Sequence, residues 1–524
     1  MRYISKKNSS AALTPHDFID DKVSFSVREN SEKLKKILES CSDAVFREFT
    51  FGTNDEHKAL VLYFDGLTDR KEIEENILKP LLLEIGMVNK PEIKILNTSG
   101  VFSRIKNRIL AAAEVKTLNT LGEIVHHISS GDTVLLINGC DKALSAGTRS
   151  WQSRAIQTPE NEVVIFGPKE GFCETLRFNT ALLRRRIKTG NFKIEAMVLG
   201  RLTKTDVVLC YIKGVAPDSL VAEVKQRLNK IDIDGVLDSA ILEEFIVNEK
   251  NTIFSQVEHT EKPDRVAANL LEGRIAVLVD GSPMALILPV SFPQFWLSPE
   301  DYYDNYIPAS LFRFLRFAAF WISLLLPSLY VAVITYHQEM IPTALYLTIA
   351  ATRQGVPFPA FVEAVLLEIT FELLREAGLR LPRAVGPAVS IVGALIIGDA
   401  AVRAGLVSTP MVVIVAATGI ASFVTPAYNA GIINRIARFG FLFASSVLGF
   451  LGIMIGLILM LTRMASLSSF GLPYLSPLAP FNREQMTDVI VRRPWYKNIT
   501  RPFIEGMKNQ RRQNPPDKDK GGSK

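Results

Sequence analysis

The sequence predicts a two-part membrane protein. Its N-terminal half is an α/β (α+β) region of two subdomains, and its C-terminal half is a helical transmembrane domain of four full spans plus an acidic helix. Roughly 20 apolar residues allow a helix to cross a hydrocarbon core of about 30 Å. Four segments approach that length, and β-rich runs separated by amphipathic helices precede them. The four predicted spans are residues 315–336, 385–402, 406–425 and 441–464.

Changes in composition along the 524 residues divide the chain into five regions. The predicted regions are a flexible arm (1–26), a first α/β subdomain (27–170), a second (171–295), a helical transmembrane domain (296–480) and a basic tail (481–524).

The basic balance of the chain comes from its tail. From Arg483 to the end there are 11 basic and five acidic residues, so this segment has a net charge of +6. The whole chain has the same formal net charge. A nucleic-acid-binding domain is therefore not indicated. A basic segment that follows a membrane helix is typical of a cytoplasmic flank attracted to the anionic lipid bilayer.

The cysteines indicate a reducing compartment. The four of them are scattered through the N-terminal half without a C-x-x-C pair. Residues 1–12 are polar and lack the apolar core of a signal peptide. We therefore expect the N-terminal half to be cytoplasmic.

Period-2 and period-3.6 patterns predict the elements of both subdomains. Helices are expected over 33–40, 71–85, 174–187, 219–228, 239–245 and 263–271, and strands over 59–64, 133–138, 163–166, 193–199, 207–213, 274–279 and 284–290.

An acidic helix over residues 358–376 interrupts the apolar segments. At 100° per residue, Glu368, Glu372 and Glu376 share one face, and Glu363 points the opposite way. Charges at bilayer depth are costly unless they are solvated or paired. We therefore expect this helix to be embedded, re-entrant or interfacial, with its four glutamates as candidates for an ion path.

Four spans place the N-terminal half and the tail on the same side of the membrane. This arrangement puts Arg435 and Arg438 on the outer side, against the positive-inside tendency. A five-crossing alternative would instead place the basic tail outside. Asp399 and Arg403, spaced i,i+4, are expected to form an intramembrane ion pair.

Enzyme chemistry is not indicated. Residues 167–171 (GPKEG) lack the spacing and hydroxyl of a phosphate-binding loop, so Lys169 and Glu170 are expected in a strand-to-helix turn. The sequence shows neither a metal-ligand cluster nor a nucleophile–histidine arrangement, so we expect no cofactor. Arg184, Arg185 and Arg186 point in three directions on one helix. Salt bridges at a domain or subunit interface are the favoured role for these residues, and lipid or anion contact is the alternative.

Several runs together resemble a known family, the GerA-type spore germinant receptor A subunits. The longest is residues 167–187, GPKEGFCETLRFNTALLRRRI. The others are residues 261–265 (EKPDR), 273–283 (GRIAVLVDGSP), 298–303 (SPEDYY), 336–342 (YHQEMIP) and 424–428 (VTPAY). The resemblance covers residues 30 to 500 approximately.

The resemblance implies a receptor subunit in the spore inner membrane. Family members act with a transporter-like B subunit and a lipoprotein C subunit, and nutrients trigger ion release and germination. The A subunit is thought to form a homo-oligomer that acts as a ligand-gated cation channel. A non-conducting scaffold, or a related downstream protein that amplifies ion release without recognising nutrients, remains an alternative.

Overall fold

The structure is a computed structural model with two kinds of architecture, sheets followed by helices. It describes residues 21–52, 57–84, 98–110, 114–149, 162, 164–380, 396–486, 488–502 and 504–513. Two five-stranded sheets occupy the chain up to Leu288, and helices dominate from Tyr306 onward. The two halves match the predicted order of an α/β region followed by a helical region.

The first sheet has the strand order β1-β2-β4-β5-β3, with antiparallel pairing throughout. Leu60 and Leu62 of β2 enter the core on one face, whereas Ala59 and Val61 enter the core on the other. Alternate residues of β2 thus pack into two hydrophobic cores, one on each face of the sheet. The strands are β1 (Ala44–Phe51), β2 (His57–Phe64), β3 (Val115–Leu118), β4 (Thr133–Ile137) and β5 (Ala143–Ala146).

The second sheet repeats the topology of the first. Its order β6-β7-β9-β10-β8 is the same permutation of five antiparallel strands. In both units one helix precedes the first strand and one helix lies between the third and fourth strands. The strands are β6 (Phe192–Leu199), β7 (Thr205–Ile212), β8 (Glu258–Thr260), β9 (Ile275–Val279) and β10 (Ala285–Leu288).

Helices cover both sheets. The one predicted over 71–85 begins as an α-helix and continues as π-helical turns at Glu74–Leu78 and Pro80–Glu84. The helices are α1 (Val27–Ile37), α2 (Arg70–Ile73), α3 (Thr98–Arg104), α4 (Leu121–Ser129), α5 (Leu176–Arg186), α6 (Asp218–Asn229), α7 (Ser239–Ile246) and α8 (Pro263–Leu271).

One predicted strand of the N-terminal half was wrong, and the last residues of the predicted arm are ordered. The expected strand at 163–166 is irregular over its described residues. The side chains of Ile165 and Phe166 are mostly exposed, and neither residue belongs to a strand. Residues 21–26 of the expected flexible arm are anchored, because Val23 is buried and its N–H donates to the carbonyl of Asn119. Residues 1–20 lie outside the described part.

In the described residues after the sheets, seven α-helices are labelled here. They are α9 (Tyr306–Tyr336), α10 (Thr343–Arg353), α11 (Ala360–Arg380), α12 (Thr409–Phe423), α13 (Tyr428–Leu448), α14 (Phe450–Ser466) and the short α15 (Arg483–Met486). A further helical stretch over Ile396–Ala400 and Ala401–Arg403 precedes α12.

Two of the described helices, α9 and α13, are long and apolar enough to cross a membrane by length and composition. The first contains the predicted span 315–336. The span predicted over 406–425 is the shorter α12, and most of 385–402 lies outside the described residues.

A single span over 441–464 was a wrong prediction. The chain reverses at Gly449, so this apolar run contains the end of α13 and most of α14. The backbone of Gly449 has φ 60° and ψ −135°, a region that only glycine enters readily. Apolar character continues through the turn, and hydropathy alone therefore cannot reveal it. The two helices form an antiparallel hairpin.

The described part of the tail folds back onto the second sheet. Ile504 and Met507 belong to the core on one face of that sheet. Lys508 pairs with Asp218 at 2.6 Å, and Arg512 pairs with Glu272 at 2.5 Å. The tail charges that the sequence assigned to lipid headgroups are thus partly used within the chain.

We expect Gly449→Ala to destabilise the protein. A Cβ at this position would lie 3.0 Å from Nε2 of His337 and 3.1 Å from Cβ of Tyr336, and the backbone conformation adds strain of about 1–3 kcal/mol. The thermal midpoint of the full chain in detergent should fall. Gly440→Ala is the matched control, since nothing lies within 4 Å of its added Cβ inside α13. Equal midpoints for both variants would contradict the glycine requirement at 449.

Candidate functional site

A backbone carbonyl that its own helix cannot satisfy marks the centre of the helical part. Pro327 lies inside α9 and has no N–H, so the carbonyl of Ser323, four residues earlier, lacks its helical donor. The Nε atom of Arg438, on α13, donates to this oxygen at 2.7 Å. In hydrocarbon, neighbouring helices must supply partners for backbone groups that proline frees. Pro327 therefore creates the acceptor that holds Arg438 against α9.

Asn434 reinforces the same contact one turn earlier on α13. Its side-chain amide donates to the carbonyl of Phe320 at 3.0 Å and to Oγ of Ser323 at 2.7 Å. Asn434 and Ser323 are both buried. Interhelical hydrogen bonds of this kind hold helices together where the surroundings are apolar.

Glu368 of α11 neutralises Arg438. Its Oε2 atom lies 2.5 Å from Nη1 of Arg438, and the two side chains are 0% and 1% exposed. A buried charge without a partner would be costly, and the pair offsets part of that cost for both residues. Among the described residues, Oε1 of Glu368 and Nη2 of Arg438 have no hydrogen-bond partner. One guanidinium thus connects α9, α11 and α13.

Glu363, on the other side of α11, has separate partners. Its Oε2 atom accepts hydrogen bonds from the backbone N–H of Ser408 at 2.9 Å and from the Ser408 hydroxyl at 2.7 Å. Its Oε1 atom lies 3.2 Å from Arg353 of α10. Glu363 is fully buried, and it connects α10, α11 and the start of α12.

The remaining two glutamates of α11 lie closer to the surface. Glu372 is 17% exposed and pairs with Arg435 of α13 at 2.5 Å and with Arg375 at 3.8 Å. Glu376 is half-exposed and pairs with Arg380 at 2.7 Å. Exposure therefore increases along the predicted acidic face from Glu368 to Glu376.

The sequence pattern indicated the acidic side of this network but not its basic side. Arg435 and Arg438 were assigned to an outer connection, whereas both lie within α13 and pair with α11. The i,i+3 spacing of these arginines in an otherwise apolar run, opposite a proline-interrupted span, was the available signal. Asp399 and Arg403 form a 2.9 Å ion pair, with both side chains mostly exposed.

The interface candidates of the N-terminal half lie around α5, which runs between the two sheets. Ala181 packs in the core of the first unit, and Leu182 and Leu183 pack in that of the second. Arg185 and Arg186 pair with Glu170 at 3.3 and 2.7 Å, and Lys169 is exposed.

Arg184 lies at the contact between the two units and binds residues of both. Its guanidinium binds both carboxylate oxygens of Asp43 at 2.7 and 2.8 Å and donates to the carbonyl of Phe192. The ring of Phe64 lies 4.0 Å from the guanidinium carbon. The guanidinium is buried, but the charge of Asp43 keeps the pKa of Arg184 above its usual value. This is the planar, bidentate recognition for which arginine is suited.

Backbone pairing and a buried lysine join the same two units. The N–H of Ser42 donates to the carbonyl of Ile194, and the N–H of Ile194 donates to the carbonyl of Ser40. Lys193 is fully buried, its Nζ atom donates to the carbonyl of Ile37 at 2.9 Å, and burial lowers its pKa. The two sheets are thus connected by main chain as well as by Arg184.

A third buried arginine joins α9 to the segment before it and to the tail. Arg313, near the start of α9, lies 2.8 Å from Asp301 in the preceding link (residues 289–305) and 3.1 Å from Asp488 in the tail. Arg316 also pairs with Asp301, at 2.5 Å. Among the described residues, no group of three or more His, Cys, Asp or Glu side chains is placed to hold a metal ion.

Comparison with protein families gives one match across almost the whole chain. The family described as Bacillus/Clostridium GerA spore germination protein matches residues 32–504. Spore germination protein KA of Bacillus subtilis (strain 168) is 45% identical over 491 residues, covering 94% of this chain and 89% of that protein.

Two further relatives from Bacillus subtilis (strain 168) cover most of both chains. The uncharacterized membrane protein YfkQ is 42% identical over 95% of this chain and 96% of its own length. Spore germination protein B1 is 39% identical over 89% and 95%, respectively. The N-terminal domain of the A subunit of the Bacillus megaterium spore germinant receptor GerK3 aligns at 32% identity, covering 52% of this chain and 98% of that chain, with a TM-score of 0.42.

We expect Glu368→Gln to destabilise the helical part, because it leaves the buried charge of Arg438 without a counter-ion. Losing one partner of a buried pair costs about 3–5 kcal/mol. Arg438→Gln should have a similar effect, and the double variant should lose less than the sum of the two. Thermal unfolding of the full chain in detergent measures all three, and Glu376→Gln, at an exposed pair, is the control. Additive losses would show that the two side chains do not interact.

Asp43→Asn is expected to loosen the contact between the two sheet units. The substitution removes the charge opposite a fully buried guanidinium, at a cost of about 3 kcal/mol. Chemical unfolding should begin at lower denaturant concentration, and limited proteolysis between the units should become faster. Asp232→Asn, which alters the exposed pair with Arg201, should change neither. Unchanged proteolysis in Asp43→Asn would contradict the role given to Arg184.

Proposed function

Because the chain belongs to the family of Bacillus/Clostridium GerA spore germination proteins, we propose that it is the A subunit of a nutrient-germinant receptor in the spore inner membrane. In this role it helps to trigger spore germination. The match over residues 32–504 is the observation that carries the proposal. The names of the B1 and KA relatives, both spore germination proteins, support it.

The proposed mechanism is that copies of the chain assemble into a ligand-gated cation channel. Rings of acidic side chains are a known basis of cation selectivity, and a single acidic helix per chain requires several copies to form one. In the single chain Glu363 and Glu368 are buried and paired, and both carboxylate oxygens of Glu372 are enclosed, so Glu376 is the carboxylate that an ion could reach first. Conduction past Glu368 would require its pair with Arg438 to rearrange.

An exposed apolar stripe on α11 supports self-association. Leu366, Ile369 and Leu373 are all at least 45% exposed and follow each other at helical spacing. A second copy packed on this stripe would bring α11 helices from different chains together. The neighbouring Glu372 and Glu376 would then lie near the interface between copies.

The tail supports the proposed topology. It begins after the last helix of the membrane part and packs onto the second sheet, so both lie on one side of any membrane that the helices cross. We therefore propose an even number of crossings, with both parts in the cytoplasm. The proposed partners are a transporter-like B subunit and a lipoprotein C subunit.

A non-conducting scaffold is the second candidate. The dry, paired arrangement of Glu363 and Glu368 favours it, because such a packed contact stabilises helices without needing water. A third candidate is a downstream spore-membrane protein that amplifies ion release without recognising nutrients.

The channel proposal predicts cation flux in liposomes that contain the full chain with its B and C subunits. Glu376→Gln together with Glu372→Gln should reduce this flux several-fold, because in the proposed channel Glu376 faces the conduction path and Glu372 becomes exposed to it on opening. Asp399→Asn, which alters an exposed ion pair outside α11, is the control.

Absence of flux under all nutrient conditions would reject conduction and favour the scaffold. In spores, deletion of the chain should slow the response to at least one nutrient. If germination by every nutrient and by bypass of the receptors stayed normal, the proposed role in germination itself would be rejected.

A further inference from the structure

A cleft of about 470 Å³ lies where the second sheet unit, the link to α9 and the folded-back tail meet. Its walls come from α8, from the segment around Tyr302 and from the tail around Trp495 and Arg501. The volume is within the range of small-molecule sites, about 300–1,000 Å³. The proposed function does not use this cleft.

Every carboxylate that lines the cleft is already paired with a cation. Glu258 pairs with Arg265, Glu272 with Arg512, Asp264 with Lys262, and Asp488 with Arg313. The acidic side chains of the wall are therefore neutralised by these partners.

Three other arginines of the wall have no such partner. Among the described residues, no carboxylate lies within ion-pair distance of Arg274, Arg493 or Arg501. Arg501 donates to the carbonyl oxygens of Leu271 and Asn509, which are neutral. The cleft thus carries an excess of positive charge that the described chain does not balance.

Arg274 is the most constrained of the three. It is 5% exposed, Nη1 donates to Oδ1 of Asn269 at 3.0 Å, and Nε has no hydrogen-bond partner among the described residues. Burial lowers the pKa values of both Arg274 and Arg501, which is the effect expected of a cation held from water. A bound anion would supply the missing acceptor.

The rest of the wall is apolar and aromatic. Leu271, Leu297 and Val489 contribute aliphatic surface, and the rings of Tyr302 and Trp495 stand 5.5 Å apart. Aliphatic and aromatic walls with a few convergent donors favour an organic ligand over a bare inorganic ion.

We propose that this cleft binds a small organic anion, with its carboxylate or phosphate group on Arg274, Arg493 and Arg501 and its flat or apolar body against the aliphatic and aromatic wall. Guanidinium groups recognise both carboxylates and phosphates through paired N–H donors. Because the tail forms one wall, the bound anion would hold the tail against the second sheet unit.

Calorimetric titration of the full chain in detergent tests the site with paired probes. Adenosine 5′-monophosphate is compared with adenosine, and benzene-1,3-dicarboxylate with benzamide. At least one anion should bind ten-fold or more tightly than its neutral partner, and the anion that does so distinguishes a phosphate from a carboxylate ligand. Inorganic phosphate should bind more weakly than the organic anion.

Arg493→Gln should weaken anion binding about ten-fold, since it removes one charge-assisted contact. The Arg493 side chain makes no described ion pair, so folding should be preserved. Arg511→Gln, on the same tail but outside the cleft, should bind like the unchanged protein. Anions that bind no better than their neutral partners, phosphate that binds as tightly as the organic anions, or equal affinities of the two variants would overturn the proposal.

Discussion

One guanidinium group in an apolar setting organises the helical part of the molecule. Pro327 deprives the carbonyl of Ser323 of its helical donor, Arg438 supplies the replacement, and Glu368 balances the charge that Arg438 brings. Each step is required by the preceding one, because an unsatisfied carbonyl and an unpaired charge are both costly away from water. The packing of α9, α11 and α13 depends on this sequence of compensations.

Buried arginines also join other parts of the chain. Among the described residues, Arg184, Arg313 and Arg438 are the three largest fully buried side chains, and each joins parts that are distant in sequence. Arg184 connects the two sheet units, and Arg313 connects the link, α9 and the tail. A planar group with five donors can satisfy several acceptors at once, which explains why arginine rather than lysine occupies these junctions.

Local patterns predicted much of this fold, but pairings between distant segments could not be predicted from them. The helix Pro263–Leu271 matches its expected bounds because proline at its first turn and glycine after its end mark them. The turn at Gly449 was missed because it lies within an uninterrupted apolar run. Glu363 and Glu368 were recognised as unusual, yet their partners Arg353 and Arg438 lie in other helices, and one sequence does not show which helices meet.

The most direct test of the central contact is the free-energy coupling between Pro327 and Arg438. Arg438→Lys keeps a positive charge opposite Glu368 but loses the guanidinium fork, and Pro327→Ala restores a helical N–H for the Ser323 carbonyl. Unfolding of the two single variants, the double variant and the unchanged chain in one detergent gives the coupling. The account predicts that Arg438→Lys costs about 1 kcal/mol less in the Pro327→Ala background. An equal cost in both backgrounds would contradict it.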